Sequence, residues 1–114
     1  MNTDKDRFIE IVKQNKILFP EINFDEEISV LFGFYCNKFI EDSQQGINLS
    51  NHIKIIEDLL ATNNPVFINL IKIDLFVDVF NELGESNKVL ALFDNRIKSL
   101  YGESIKEWKH LNNK

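Results

Sequence analysis

The sequence predicts an all-α, single-domain bundle of five to six helices around a largely buried central helix at about residues 65–83. Three observations carry that prediction. Apolar residues recur at helical spacing along most of the chain, and no segment alternates with period two or shows an Asn-Gly or Asp-Gly hairpin signal. Four glycines and two prolines in 114 residues leave room only for short connections, so sequential helices should run roughly antiparallel. The stretch from Asn64 to Leu83 is mostly apolar and is punctuated as a helix. Asn64 is an N-cap residue, Pro65 suits the first helical position, and Gly84 is a C-terminal stop. A helix so apolar needs neighbours on most of its sides.

The other elements follow in order. A first helix is expected after Thr3, with Asp6 at the capping-box position and an apolar stripe of Phe8, Ile9, Ile11, Val12 and Leu18, ending at Pro20. Phe19 and Ile22 are placed to pin the connection to the core. A second helix is expected from Asp25, with Glu26 and Glu27 in the first turn, where negative charge complements the helix dipole. Ile28, Leu31, Phe32, Tyr35 and Phe39 form its inner face, Gly33 falls mid-helix, and the run Ser43-Gln44-Gln45-Gly46 ends it. A third helix, capped by Asn48 or Ser50, turns Ile53, Ile56, Leu59 and Leu60 inward, and Thr62-Asn63-Asn64 leads into the central helix. Ser86 caps a fifth helix carrying Val89, Leu90, Leu92, Phe93, Ile97 and Leu100. Gly102 breaks it, and a short last helix presents Ile105, Trp108 and Leu111.

At 114 residues, residues 1–114 form one domain able to bury a core without disulfides or metal. Ten phenylalanines point to a core of aromatic side chains. The single cysteine, Cys36, has no partner in the chain, which fits a reducing, cytoplasmic setting. No apolar run reaches membrane-spanning length, and the polar N-terminus is unlike a secretion signal. Charge is unevenly spread. Residues 1–20 carry net +1, residues 21–85 carry twelve acidic against three basic groups, and residues 86–114 carry net +3. The acidic middle argues against nucleic-acid binding, which requires a positive footprint, and suits a basic protein partner. A merely solubilising surface accounts for the same numbers.

A helical wheel gathers Asp74, Asp78, Asn81 and Glu82 on one side of the central helix. Asp74 and Asp78 are like-charged neighbours one turn apart, which disfavours an isolated helix by a few tenths of a kcal/mol and calls for compensation from a lysine or a basic partner. The wheel sets Asn69 and Lys72 within the apolar face, so Lys72 should snorkel or pair with an acid from another helix. Glu41-Asp42 and Glu57-Asp58 are adjacent acids that diverge by about 100° on a helix, so neither is a preorganised carboxylate dyad. Both pairs fit a partner-facing patch or plain solvated surface. No catalytic, cofactor-binding or metal-binding motif is present: His52 and His110 match no ligand spacing, and no nucleophile elbow, phosphate loop or dinucleotide fingerprint occurs. Cys36 reads as a buried thiol. Lys106, Lys109 and His110 around Trp108 form a small basic-aromatic patch suited to capping the bundle.

Ile17-Leu18-Phe19-Pro20-Glu21-Ile22, Val66-Phe67-Ile68-Asn69-Leu70-Ile71 with Leu75-Phe76-Val77-Asp78, and Leu90-Ala91-Leu92-Phe93 leading to Leu100-Tyr101-Gly102 together resemble a group of small all-helical bacterial domains of uncharacterised function. These are of the kind associated with polymorphic or contact-dependent toxins as immunity proteins. The chain departs from the group at Asp78, where glutamate is frequent. The resemblance implies a non-enzymatic, cytoplasmic protein that neutralises a cognate toxin by direct binding. The acidic surface adds the expectation of a basic partner such as a nuclease domain, met by Asp74, Asp78 and Glu82 first and by Glu57 and Asp58 next. The competing expectation is a small regulatory adaptor or helical oligomerisation module that docks through an apolar face, and self-association stays open.

Overall fold

The computed structural model describes residues 3–17, 27–84 and 88–112. Among these residues there are six helices and no strand: α1 (Thr3–Gln14), α2 (Ile28–Gln45), α3 (Leu49–Ala61), a central α4 running from Pro65 to Leu83, α5 (Lys88–Leu92) and α6 (Asn95–Asn112). The chain is an all-α bundle. Leu18, Phe19, Pro20, Ile22, Asp25, Glu26 and Ser86 lie outside the described residues.

α1 stops at Gln14, well short of Pro20. Lys16 takes a left-handed conformation (φ 61°), its N–H donates to the Lys13 carbonyl, and the Ile17 N–H reaches back to Val12. That closure returns Ile17 to the core, where it joins Phe8, Ile11 and Val12. α2 starts at Ile28, with Glu27 extended at the N-cap position and not in the first turn as expected. The same closure ends it at Gly46 (φ 71°): the Gly46 N–H donates to Ser43 and the Ile47 N–H to Asp42. α3 follows from Asn48, itself left-handed (φ 58°). Asn48 occupies the cap position without capping, because its amide is drawn to Asp42 instead.

The start of α4 is as the sequence predicts. Asn64 Oδ1 accepts from the Val66 N–H at 2.9 Å, and Pro65 opens the helix. The Asn64 amide also donates to Asp4 of α1 at 2.8 Å, so one residue caps α4 and fastens α1 to it. The helix is not uniform. Segments Pro65–Leu70 and Phe76–Leu83 are α-helical, but Ile71–Leu75 is a π turn in which the Phe76 N–H reaches the Ile71 carbonyl. In an α-helix that N–H would serve Lys72. The orphaned Lys72 carbonyl accepts from the buried Ser104 hydroxyl of α6. The extra residue shifts the phase of the apolar stripe. Phe67, Ile71 and Leu75 are buried at four-residue spacing, then Phe76 and Val79 take over directly after Leu75.

That phase shift corrects the uniform wheel. Asn69 is exposed, not inside the apolar face. Lys72 is mostly covered and pairs with acids of α6, Glu103 at 3.2 Å and Glu107 at 3.6 Å. α4 packs against α2, α3 and α6 and is open along Val66, Asn69 and Ile73.

The last third of the chain breaks elsewhere than expected. Asp94, not Gly102, separates its helices: Asp94 Oδ1 accepts from the Ile97 N–H at 2.8 Å and caps α6. α6 runs unbroken through Gly102, and Phe93 and Tyr101 close on Phe76 at ring separations of 5.9 and 5.3 Å. A side chain at Gly102 would meet nothing within 4 Å. Gly102→Ala should therefore stabilise the protein by about 0.5–1 kcal/mol through helix propensity, raising the melting temperature by a few degrees. A lower melting temperature would mean that the helix is interrupted there after all.

Candidate functional site

The carboxylates expected to face a partner fall into two sets. Asp74 and Asp78 stand one turn apart on α4, half-buried toward α2, with Glu82 exposed one turn further. Among the described residues neither Asp74 nor Asp78 forms an ion pair or a side-chain hydrogen bond. Burial pushes the Asp74 carboxyl above its usual range. Burial, and then the charges of Asp74 and Glu82, do the same to Asp78. The two acids also face buried Cys36, whose thiol is pushed well up by burial first and then by the fields of Asp78 and Asp74. That thiol is therefore a packed, protonated group at neutral pH.

Glu57 and Asp58 belong to a different surface. Asp58 is engaged internally, accepting from the Asn15 amide at 3.1 Å and pairing with Lys54 at 2.9 Å. Burial raises its carboxyl, but these partners and the nearby Arg7 outweigh that and leave it below its usual range. Glu57 is exposed beside it, in a shallow groove that also holds Lys54, Asp94 and Arg96. Acid and base are interleaved there, so this surface lacks the single sign that distinguishes the Asp74–Asp78–Glu82 line.

A polar cluster that the sequence reading missed lies between α2 and α3. Asp42, read above as a surface acid with Glu41, is 1% exposed, and His52 and Tyr35 are wholly buried. His52 Nε2 lies 2.7 Å from Asp42 Oδ2, and Tyr35 Oη lies 2.8 Å from His52 Nδ1. Lys38 reaches Asp42 Oδ1 at 3.1 Å, and the Asn48 amide donates to Oδ2 at 3.3 Å. Burial raises Asp42, but the bonds from His52, Lys38 and Asn48 overcome it and hold the carboxyl below its usual range. Burial pushes His52 below 6.5 despite the opposing pull of Asp42. These shifts fix the protons. An ionised Asp42 only accepts, so His52 Nε2–H donates to it, and the bare Nδ1 accepts from the Tyr35 hydroxyl. With His52 neutral, both of its ring nitrogens and the Tyr35 hydroxyl are hydrogen-bonded, Asp42 Oδ1 has only the ion pair with Lys38, and Phe39 packs edge-on against the imidazole at 5.0 Å. The signal was spacing. Asp42 continues the stripe Tyr35, Phe39 at i+7, and His52 opens the stripe that Ile56 and Leu59 extend.

Tyr35, His52 and Asp42 are buried between the two helices, and their contacts hold α2 against α3. Among the described residues no group of three or more His, Cys, Asp or Glu side chains is placed to hold a metal ion, and no helix is long and apolar enough to cross a membrane. What the fold and surface define is a helical bundle with an acidic line along one edge of its central helix. No family model, no curated protein and no solved structure matches the chain.

The buried cluster has a signed pH dependence. The folded-state value of His52 is depressed below 6.5, so the unfolded chain takes up that proton first. Its contribution is complete above the unfolded value and is lost as pH falls through the folded one. Asp42, also depressed, acts in a lower window. Asp74 and Asp78 are raised, so their protonation on acidification offsets part of the loss. The melting temperature should fall between about pH 7 and about pH 5. His52→Gln, which keeps a donor for Asp42 and an acceptor for Tyr35 but does not titrate, should be less stable and nearly flat over that interval. An equal fall in the variant would assign the titration to another group.

Proposed function

We propose that the protein is a non-enzymatic, cytoplasmic binding protein of the bacterial immunity type, which neutralises a cognate toxin domain through the acidic edge of α4. The supporting observation is the state of Asp74 and Asp78: two half-buried carboxylates one turn apart, held above their usual range by burial and given no cation among the described residues. An arrangement that disfavours both charges in the free protein is relieved by lysine or arginine side chains on a partner. The contrast with Asp58, which Lys54 and Asn15 satisfy within the fold, moves Glu57 and Asp58 to a secondary role. A basic toxin domain, such as a nuclease, suits the sign of the surface, and blocking its phosphate-binding cations would silence it without any chemistry by this chain.

The second reading, a regulatory adaptor or oligomerisation module, draws on the exposure of Ile73 and Leu111. The two readings differ in salt response, since screening weakens contacts between charges and leaves apolar docking largely intact. Asp74→Lys combined with Asp78→Lys should keep the helical circular dichroism spectrum and weaken capture of the cognate toxin at least tenfold, about 1.4 kcal/mol, with loss of protection in cells. Full protection by the double variant would remove the acidic edge from the interface.

A further inference from the structure

We propose that a hollow between α4 and α6 binds a small organic anion with a flat apolar body, an aromatic carboxylate being the simplest case. The site is separate from the acidic edge and does not depend on what that edge meets. The hollow measures about 440 Å³ and is lined by Phe80 of α4 and by Tyr101, Gly102, Ile105, Lys106 and Lys109 of α6. That size lies within the range of small-molecule sites, and the make-up is theirs too: an apolar floor with a few polar groups converging on it. On α6, Tyr101 and Ile105 stand one turn apart in one row, and Gly102 and Lys106 stand one turn apart in the next. The first row and the half-buried Phe80 ring supply the floor, and the second row supplies the rim.

Gly102 opens the site. It lies inside a helix, where glycine costs about 1 kcal/mol against alanine. Its φ is not positive, and an added Cβ would meet nothing within 4 Å, so neither backbone conformation nor close packing calls for glycine there. What the missing side chain leaves is room beside Tyr101 and Ile105.

The rim sets the sign of the ligand. It carries the Lys106 and Lys109 side chains, and among the described residues no carboxylate lines the hollow. Lys109 Nζ sits 5.0 Å from the centroid of the Phe80 ring, which holds one ammonium at the edge of the floor. Among the described residues Lys106 forms no ion pair, because its neighbours Glu103 and Glu107 are taken up by Lys72. Lys38 and Lys54, by contrast, each lie against an aspartate of their own helix. The helix dipole accounts for Lys109 and His110 in the last turn of α6 but not for Lys106 before it. Of the basic-aromatic patch legible in the sequence, Lys106 and Lys109 thus border the hollow, while His110 lies on the adjoining stretch of α6 with Leu111. An aromatic anion meets both features. Its ring lies against Phe80 and Tyr101, and its anionic group pairs with the two ammonium groups.

The test is a titration of the nitrogen-15-labelled protein with 2-naphthoate, read by amide chemical shifts. One control, 2-naphthamide, keeps the rings and loses the charge; the other, acetate, keeps the carboxylate and loses the rings. Naphthoate should move the amides of Tyr101, Gly102, Ile105 and Lys106 and saturate, with both controls at least fivefold weaker. Added salt should weaken naphthoate and leave naphthamide unchanged. Gly102→Leu places a side chain in the open space, so it should weaken naphthoate at least tenfold without lowering the melting temperature. Lys106→Met with Lys109→Met keeps the apolar stems and removes the charges. That double variant should weaken naphthoate several-fold and bring it level with naphthamide, which covers the case in which Gly102→Leu fails to fold. Saturating shifts on another surface, equal binding of naphthamide, or full binding by either variant in its folded state would each overturn the proposal. A Glu-Phe-Glu tripeptide that binds the same amides ten times more tightly than naphthoate would also overturn it, in favour of a protein segment as the occupant.

Discussion

The fold depends on one constraint: a single central helix must bury apolar surface against α2, α3 and α6 in turn, and one straight stripe cannot face all three. The π turn at Ile71–Leu75 resolves this by advancing the phase mid-helix. Phe67, Ile71 and Leu75 serve the first half, and Phe76 and Val79 serve the second. The change leaves the Lys72 carbonyl without its helical donor, and Ser104 supplies one from α6, so the irregularity in one helix is also a tie to another. The same change governs the surface. It brings Ile73 to the open edge and sets Asp74 and Asp78 beside it, which is where the candidate interface lies. π turns recur at functional sites because an inserted residue re-aims side chains that a regular helix would bury.

Asp42 and the pair Asp74–Asp78 show the same side chain under opposite electrostatic regimes. Asp42 is the more deeply buried, yet its carboxyl is held down because His52, Lys38 and Asn48 all turn toward it. Asp74 and Asp78 are less buried, yet burial, joined at Asp78 by the charges of Asp74 and Glu82, pushes them up, with no partner among the described residues to offset it. Satisfaction, not burial alone, decides the direction. The first arrangement is a structural fastening complete within the chain. The second is incomplete within the described residues, and that incompleteness is the physical basis for reading it as a surface made for a partner.

Much of this architecture is legible in the sequence. The Asn64-Pro65 start, the Gly84 stop and the Gly46 closure are local chemistry and fall where expected. The inner faces of α2 and α3 follow from spacing. Errors arise where a local signal competes with a tertiary one. Gly102 resembles a breaker, but packing of Tyr101 and Ile105 on either side carries α6 across it, while the capping role belongs to Asp94. Pro20 marks a helix boundary only in the absence of an earlier one, and the left-handed Lys16 supplies it. The π turn has no sequence signature, so Asn69 is misplaced by any uniform wheel. The buried His52–Asp42 contact joins two helices across ten residues and appears only when both stripes are extended to their polar members.

The acidic candidates were legible as types and positions, but their sorting was not. Whether a carboxylate is satisfied depends on Asn15, forty-three positions from Asp58, and on the absence of any counterpart opposite Asp74 among the described residues. The most direct test of the account is a carbon-13 NMR titration of the aspartate side-chain carboxyls in the free protein. The account predicts that Asp74 and Asp78 titrate above the usual 3.8 while Asp42 titrates below it. Asp74 and Asp78 titrating at or below 3.8 would show that the fold already satisfies them, and would contradict their reading as carboxylates held ready for a partner's cations.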